Sequence, residues 1–246
     1  MEFNAEELKL QVHNLPAVIM MECQLPKKII KDLNTYLDVY KKDKDRKSLS
    51  HTLVGQIHQG EQLLMDHNDK LLEDYYKFIT TMGVSYLQAF GNTTGHYFNN
   101  KVVDIDELWS VHSYEGDYNP IHDHGTKTLT GISTTTWTKV PKQIGKLGEV
   151  NKDSNEGLYS LYNNSGACDG FLAFTYGRNE IMNVQRLRPP QSISMQPKVG
   201  RQLIFPSWMQ HMVYPFFGKG ERRTVAANLN VWDTEPQEGE ENESSK

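Results

Sequence analysis

Arg222-Arg223-Thr224-Val225-Ala226-Ala227-Asn228-Leu229-Asn230-Val231 reads as one strand with two unlike faces. Strand side chains alternate with period 2, so the stretch splits by parity. One face holds Arg223, Val225, Ala227, Leu229 and Val231; the other holds Arg222, Thr224, Ala226, Asn228 and Asn230. The first face is mostly apolar and is expected to pack under helices. The second is small and polar, as the lining of a ligand cavity inside a barrel must be. Arg222 and Thr224 are expected to point into that cavity together. A guanidinium fork beside a hydroxyl is a receptor for a carboxylate. The plainer alternative is that both arginines are surface charges. Arg223 reads as a structural ion-pair partner, and as the anchor only if Arg222 turns away.

Working outward, Trp109–Tyr114, Thr128–Val140, Phe171–Phe174, Ser192–Gln196, Arg201–Phe205 and Met212–Pro215 are further β-like runs, each bounded by Gly, Pro, Asn or Asp. Many short strands with frequent turn signals point to a sandwich or barrel. Before them, Ile29, Ile30, Leu33, Tyr36, Leu37 and Tyr40 predict a helix over Lys27–Lys42. Gly60–Phe90 shows a second, longer helical pattern, with Gly83 as a plausible break. The aromatic residues of these helices read as core. Pro141–Gly170, rich in Gly, Asn, Lys, Asp and Ser, reads as a long insertion, with Tyr159 and Tyr162 as lid candidates. The expected plan is one structural domain: a helical support region over 1–108, a β core over 109–234 and a disordered acidic tail over 235–246.

The bulk numbers fit a globular chain. Its 246 residues can bury a sizeable core, and hydrophobic residues make up 37%. A net charge of −5 argues against a nucleic-acid partner. No apolar run approaches a membrane span, and the acidic start, Met1-Glu2-Phe3-Asn4-Ala5-Glu6-Glu7, lacks the plan of a secretory signal. Two cysteines, Cys23 and Cys168, give no disulfide framework and suit a reducing cytoplasm. The glycosylation sequons at Asn92 and Asn163 therefore read as chance.

Nine histidines occur, and most read as solvated. Three do not. Asn119-Pro120-Ile121-His122-Asp123-His124-Gly125 places His122 and His124 two positions apart at a strand end, where they share a face. His211, far downstream after Phe205-Pro206-Ser207, also falls at a strand edge and can close a third corner of a metal site. The usual oxygenase face is two histidines and a carboxylate. On a regular strand Asp123 points away from its neighbours, so His124 takes the carboxylate's corner unless a bulge reverses the choice. Three neutral imidazoles leave the ion's charge unneutralised by protein, which favours an anionic co-substrate. His112, on a neighbouring strand, can face the cavity or the covering layer.

The ordered set resembles a known family. Trp109, Gly116-Asp117-Tyr118-Asn119, His122-x-His124, Thr130-Gly131, Pro197-x-x-Gly200, Phe205-Pro206-Ser207, His211, Pro215 and Glu221-Arg222-x-Thr224 with Asn228 resemble the 2-oxoglutarate/Fe(II)-dependent oxygenases. The likeness is to an oxygenase group of cyanophages and marine bacteria, related to the prolyl-hydroxylase-like branch. It implies a mainly β, double-stranded β-helix (jelly-roll, cupin-like) with N-terminal helices outside. It implies Fe(II) on His122, His124 and His211, and 2-oxoglutarate on Arg222, Thr224 and Asn228. It also implies use of O2, release of succinate and CO2, and hydroxylation of a small-molecule or peptide substrate. The middle histidine departs from the wider superfamily. Two rivals stand beside this: a three-histidine cupin-like dioxygenase without 2-oxoglutarate, and a non-catalytic β-barrel binding module. The expected setting, from the two cysteines, is the cytoplasm, a host's if viral; the resemblance names no acceptor.

Overall fold

Ile29, Leu33, Tyr36 and Leu37 share one stripe and are all buried; they make α1 (Lys27–Tyr40). The computed structural model describes residues 18–146, 166–175 and 192–234. A longer helix, α2 (Glu73–Thr94), starts with Glu73 and Asp74. Those acids suit the positive end of a helix dipole. It stops at Gly95, whose φ of 75° forms a left-handed cap.

The helical pattern over Gly60–Phe90 resolves differently from expectation. Glu61–Leu64 is a strand, and Gly83 does not break α2. Gly83 is buried, and a Cβ there would lie 2.7 Å from Cγ1 of Val103 and 3.2 Å from Cδ1 of Leu229. Its bare backbone lets α2 settle closely on the sheet below.

The strands are β1 (Met21–Gln24), β2 (Glu61–Leu64), β3 (Lys101–Ser113), β4 (Asn119–His122), β5 (Ile132–Lys139), β6 (Leu172–Thr175), β7 (Ser192–Met195), β8 (Arg201–Pro206), β9 (Gln210–Val213) and β10 (Arg222–Asp233). They form two antiparallel sheets: a six-stranded one, β1-β8-β5-β10-β3-β2, and a four-stranded one, β4-β9-β6-β7. The stretch before Trp109 is thus not all helix. It adds β1, β2 and the start of β3 to the larger sheet. The fold is the expected mainly β jelly roll with helices outside.

Period 2 sorts the layers. Val225, Ala227, Leu229 and Val231 of β10 pack in one core with Leu33, Leu37, Tyr75 and Ile79 of the helices. Trp137, Leu203 and Phe205 face inward and meet Leu172, Phe174 and Met195 of the smaller sheet. Register shifts flank the cavity-facing part of β10. One lies opposite β5 at Arg223/Thr224 and one opposite β3 at Asn228/Leu229. Such bulges add twist where a sheet must curve around a cavity. α3 (Lys142–Lys146) begins the long insertion. Ile144 on it forms a small core with Phe171 and Phe216. Tyr159, Tyr162 and the acidic tail lie outside the described residues.

One end of β10 is tied to α1 by charge. Arg223 is 1% exposed. Its guanidinium donates to Asp38 (2.7 Å), Asn34 (3.0 Å) and Glu221 (3.1 Å). Glu221 also accepts from Nδ1 of buried His112 at 2.6 Å, so His112 faces the covering layer. Burial alone would raise the Glu221 carboxyl. The His112 and Arg223 hydrogen bonds, with the Arg223 and Lys41 charges, outweigh it and hold the group well below the usual carboxylate range. A depressed folded pKa contributes stability above the unfolded value and loses it as pH falls toward the folded one. Glu221→Gln is therefore expected to cost about 2–3 kcal/mol at pH 7. In urea unfolding, the gap to the parent should narrow as pH drops below 4.5.

Candidate active site

Antiparallel pairing brings the first two site histidines together. His122 ends β4 and stands opposite His211 on β9. Their ring centroids lie 4.3 Å apart. His124 follows in the loop, where its backbone N–H donates to Ser207 O at 2.9 Å. That bond turns its ring inward, 5.3 Å from His122 and 4.9 Å from His211. The donor atoms of the three all lie within 4.8 Å of one another. Asp123 between them is exposed.

Each ring has its Nδ1 engaged. His122 Nδ1 faces Pro120 O at 2.7 Å and His211 Nδ1 faces Met209 O at 2.9 Å. His124 Nδ1 lies 3.0 Å from Asn228 Oδ1. These oxygens accept from Nδ1–H and leave Nε2 as the lone-pair nitrogen of each ring, the tautomer that metal-binding histidines show. Burial lowers all three pKa values, to about 4 for His124 and about 3 for His211, with His122 moved in the same direction. The rings are thus neutral at pH 7, as ligands must be. Three convergent neutral nitrogen donors fit a divalent first-row metal.

Asn228 Oδ1 also accepts from Ser133 Oγ at 2.8 Å, and its Nδ2 donates to Gly125 O at 3.4 Å. The family resemblance assigns Asn228 to the co-substrate. It does line the cavity, but its carboxamide is engaged in orienting His124. Asn228→Leu is expected to weaken metal affinity about 10–100-fold. A competition titration with a coloured chelator measures this.

Arg222, Thr224 and the three histidines line one cavity of about 330 Å³. Arg222 is 3% exposed. Its Nε has no hydrogen-bond partner. Burial lowers its pKa to about 10, no described acid forms an ion pair with it, and the group stays cationic at neutral pH. A buried guanidinium without an anion is costly, so the cavity calls for a carboxylate. Arg223 has its acids already and faces the helices. Two residues of the family-like set, given no site role by the sequence, also stand beside the histidines. Trp109 tilts against His124 at 5.3 Å. Asn119 Nδ2 approaches His122 Nε2 at 3.1 Å. In the sequence Asn119 stands only as the lead-in to the histidine motif.

Residues 107–228 match the family described as "Putative 2OG-Fe(II) oxygenase". The chain belongs to the 2-oxoglutarate/Fe(II) oxygenases. Its cofactor is Fe(II) and its co-substrate 2-oxoglutarate. This carries the oxygenase reading over the cupin-like dioxygenase and the non-catalytic barrel. No curated protein sequence matches the chain significantly. Among solved structures it is similar to a Pseudomonas putida prolyl-4-hydroxylase at 11% identity, over 85% of this chain and 91% of that one, with a TM-score of 0.53. It is also similar to SnoK, a non-heme alpha ketoglutarate dependent carbocyclase from nogalamycin biosynthesis, at 7% identity, over 86% and 79%, with a TM-score of 0.55. At such identities the likeness concerns the fold of this oxygenase. None of its described helices is long and apolar enough to cross a membrane.

Proposed function

We propose that His122, His124 and His211 hold Fe(II), that Arg222 with Thr224 holds the distal carboxylate of 2-oxoglutarate, and that the enzyme hydroxylates a C–H bond of a small-molecule or peptide acceptor. The carrying observation is the buried guanidinium of Arg222, paired with no described acid, in the same cavity as three neutral imidazoles. Bound together, iron and 2-oxoglutarate supply the activation of O2, with succinate and CO2 released. The chain's own residues do the rest. Pro120 O, Met209 O and Asn228 fix the ring tautomers. Arg222 and Thr224 orient the co-substrate. Trp109, Phe205 and Val213 on the cavity wall exclude water, which strengthens the electrostatic contacts inside. With three neutral ligands, the co-substrate's near carboxylate would offset part of the ion's charge.

The narrower kinship with cyanophage and marine-bacterial oxygenases rests on the ordered residues from Trp109 to Asn228. A cytoplasmic setting is supported by two free cysteines. The test is calorimetry of 2-oxoglutarate into anaerobic protein with and without Fe(II). Binding that needs the metal, near one equivalent, supports the proposal. Equal binding to metal-free protein counts against it.

A further inference from the structure

Residues 52–62 precede the family-matched segment, yet they build one wall of the cavity. Leu53, Val54, Ile57 and Gln62 all line it. The wall is fastened in place. Gly55 N–H donates to Asn119 Oδ1 at 3.0 Å, His58 N–H to Asp117 Oδ1 at 2.7 Å and Tyr118 N–H to Gln56 O at 3.2 Å. Gly55 is wedged so closely that a Cβ would sit 2.1 Å from Tyr118 O. Such a wall is formed before any ligand arrives.

Gln62 stands out on it. The residue is 8% exposed. Its Oε1 is buried with no hydrogen-bond partner. A buried carbonyl left unpaired costs about 1–3 kcal/mol, so a ligand N–H in the cavity would relieve a standing penalty. On β2 it pairs with Val111, which in turn pairs with Thr224 of β10. Gln62 therefore looks into the cavity two strands from the carboxylate receptor. Around it the wall is aliphatic. Among the described lining residues Arg222 is the one permanent cation, while Glu107 and Asp123 are acidic and exposed. With Arg222 occupied by 2-oxoglutarate, a second anion meets no free cationic side chain on this wall.

We infer that this wall is the acceptor subsite, and that it takes an uncharged, amide-bearing group on a branched apolar body, with Gln62 pairing the amide, and rejects anions. A carboxamide offers an acceptor and donors together, so it meets another amide on both edges. The inference rests on the iron and 2-oxoglutarate reading of the same cavity.

The experiment uses the full chain loaded with Zn(II) in place of Fe(II) and saturated with 2-oxoglutarate. Methyl-labelled Leu, Val and Ile are followed by NMR. Isovaleramide should give saturable shifts at Leu53, Val54 and Ile57, and isovalerate, its anionic counterpart, should bind at least tenfold more weakly. N-acetyl-leucinamide separates the sources. Tighter binding than isovaleramide assigns a chain segment, equal binding a free amide. Gln62→Leu should lose about five- to tenfold of the amide's affinity and leave isovalerate unchanged. Val54→Asp, at a position 68% exposed and thus harmless to folding, should lose the shifts while keeping 2-oxoglutarate affinity. Equal binding of amide and anion, shifts elsewhere, or an unaffected Gln62→Leu variant overturns the inference. Calorimetry on the same sample separates the two levels. Failure to bind Zn(II) and 2-oxoglutarate takes down both readings; normal binding of both without the shift pattern takes down this one alone.

Discussion

His211→Ala is expected to lose more than about 100-fold in metal affinity, exceeding what removal of a ligand's hydrogen-bond partner costs. The reason is positional. His211 stands opposite His122 across the β4–β9 pair, and its ring is backed by Phe205 at 5.3 Å and Phe174 at 5.8 Å. No described acid or cysteine lies in the cluster to replace it. The remaining two imidazoles come from one short segment and cannot enclose the ion. Asp123→Ala, by contrast, alters an exposed side chain and should leave affinity within about twofold. Competition titration of Zn(II) or Co(II) against a chelator distinguishes the two. Circular dichroism confirms that both variants fold. Loss of metal with Asp123→Ala but not with His211→Ala would reverse the ligand assignment.

Arg222→Ala is expected to raise the 2-oxoglutarate requirement about 30- to 1,000-fold, the loss of roughly 2–4 kcal/mol that goes with one partner of a desolvated charge pair. Metal affinity should hold, because Arg222 touches none of the histidines' hydrogen-bond partners. Arg222→Lys should recover part of the loss. It restores the charge but not the fork that grips both carboxylate oxygens. The substitution also removes a buried cation that no described acid pairs with, so the variant should fold at least as well as the parent. Calorimetric titration of 2-oxoglutarate into metal-loaded protein gives the number. An unchanged affinity would mean that some other group grips the carboxylate. Arg223 is a poor candidate, since it is engaged by Asp38 and Glu221 on the far face.

The strand that carries Arg222 was the most legible part of the chain. Twelve residues give a period-2 pattern room to declare itself. The helices agree for the same reason. Four-residue strands such as β1, β2 and β4 offer too few positions for a pattern. In β2 the adjacent Leu63 and Leu64 mimic a helical stripe. There, tertiary pairing with β3 decides the outcome, and with it the placement of Gln62.

The histidine set was legible because H-x-H is a local motif and His211 follows a strong turn. Two of the three Nδ1 acceptors are local as well, each the carbonyl two residues before its histidine. The third is not. Asn228 lies 104 positions from His124, and nothing in the sequence announces that contact. Asp123 was set aside by strand parity, although His124 lies beyond the end of β4. Asp123 is exposed and the ring of His124 meets the other two, in a loop held by the bond to Ser207 O and not by the alternation of a strand.

The most direct test of the central claim is an anomalous difference map at the metal edge, from crystals of the full chain grown with a divalent first-row metal and 2-oxoglutarate. The account predicts one peak about 2.0–2.2 Å from Nε2 of His122, His124 and His211, with the co-substrate's far carboxylate against Arg222. A peak ligated by Asp123, or a bound co-substrate that leaves Arg222 untouched, would contradict it.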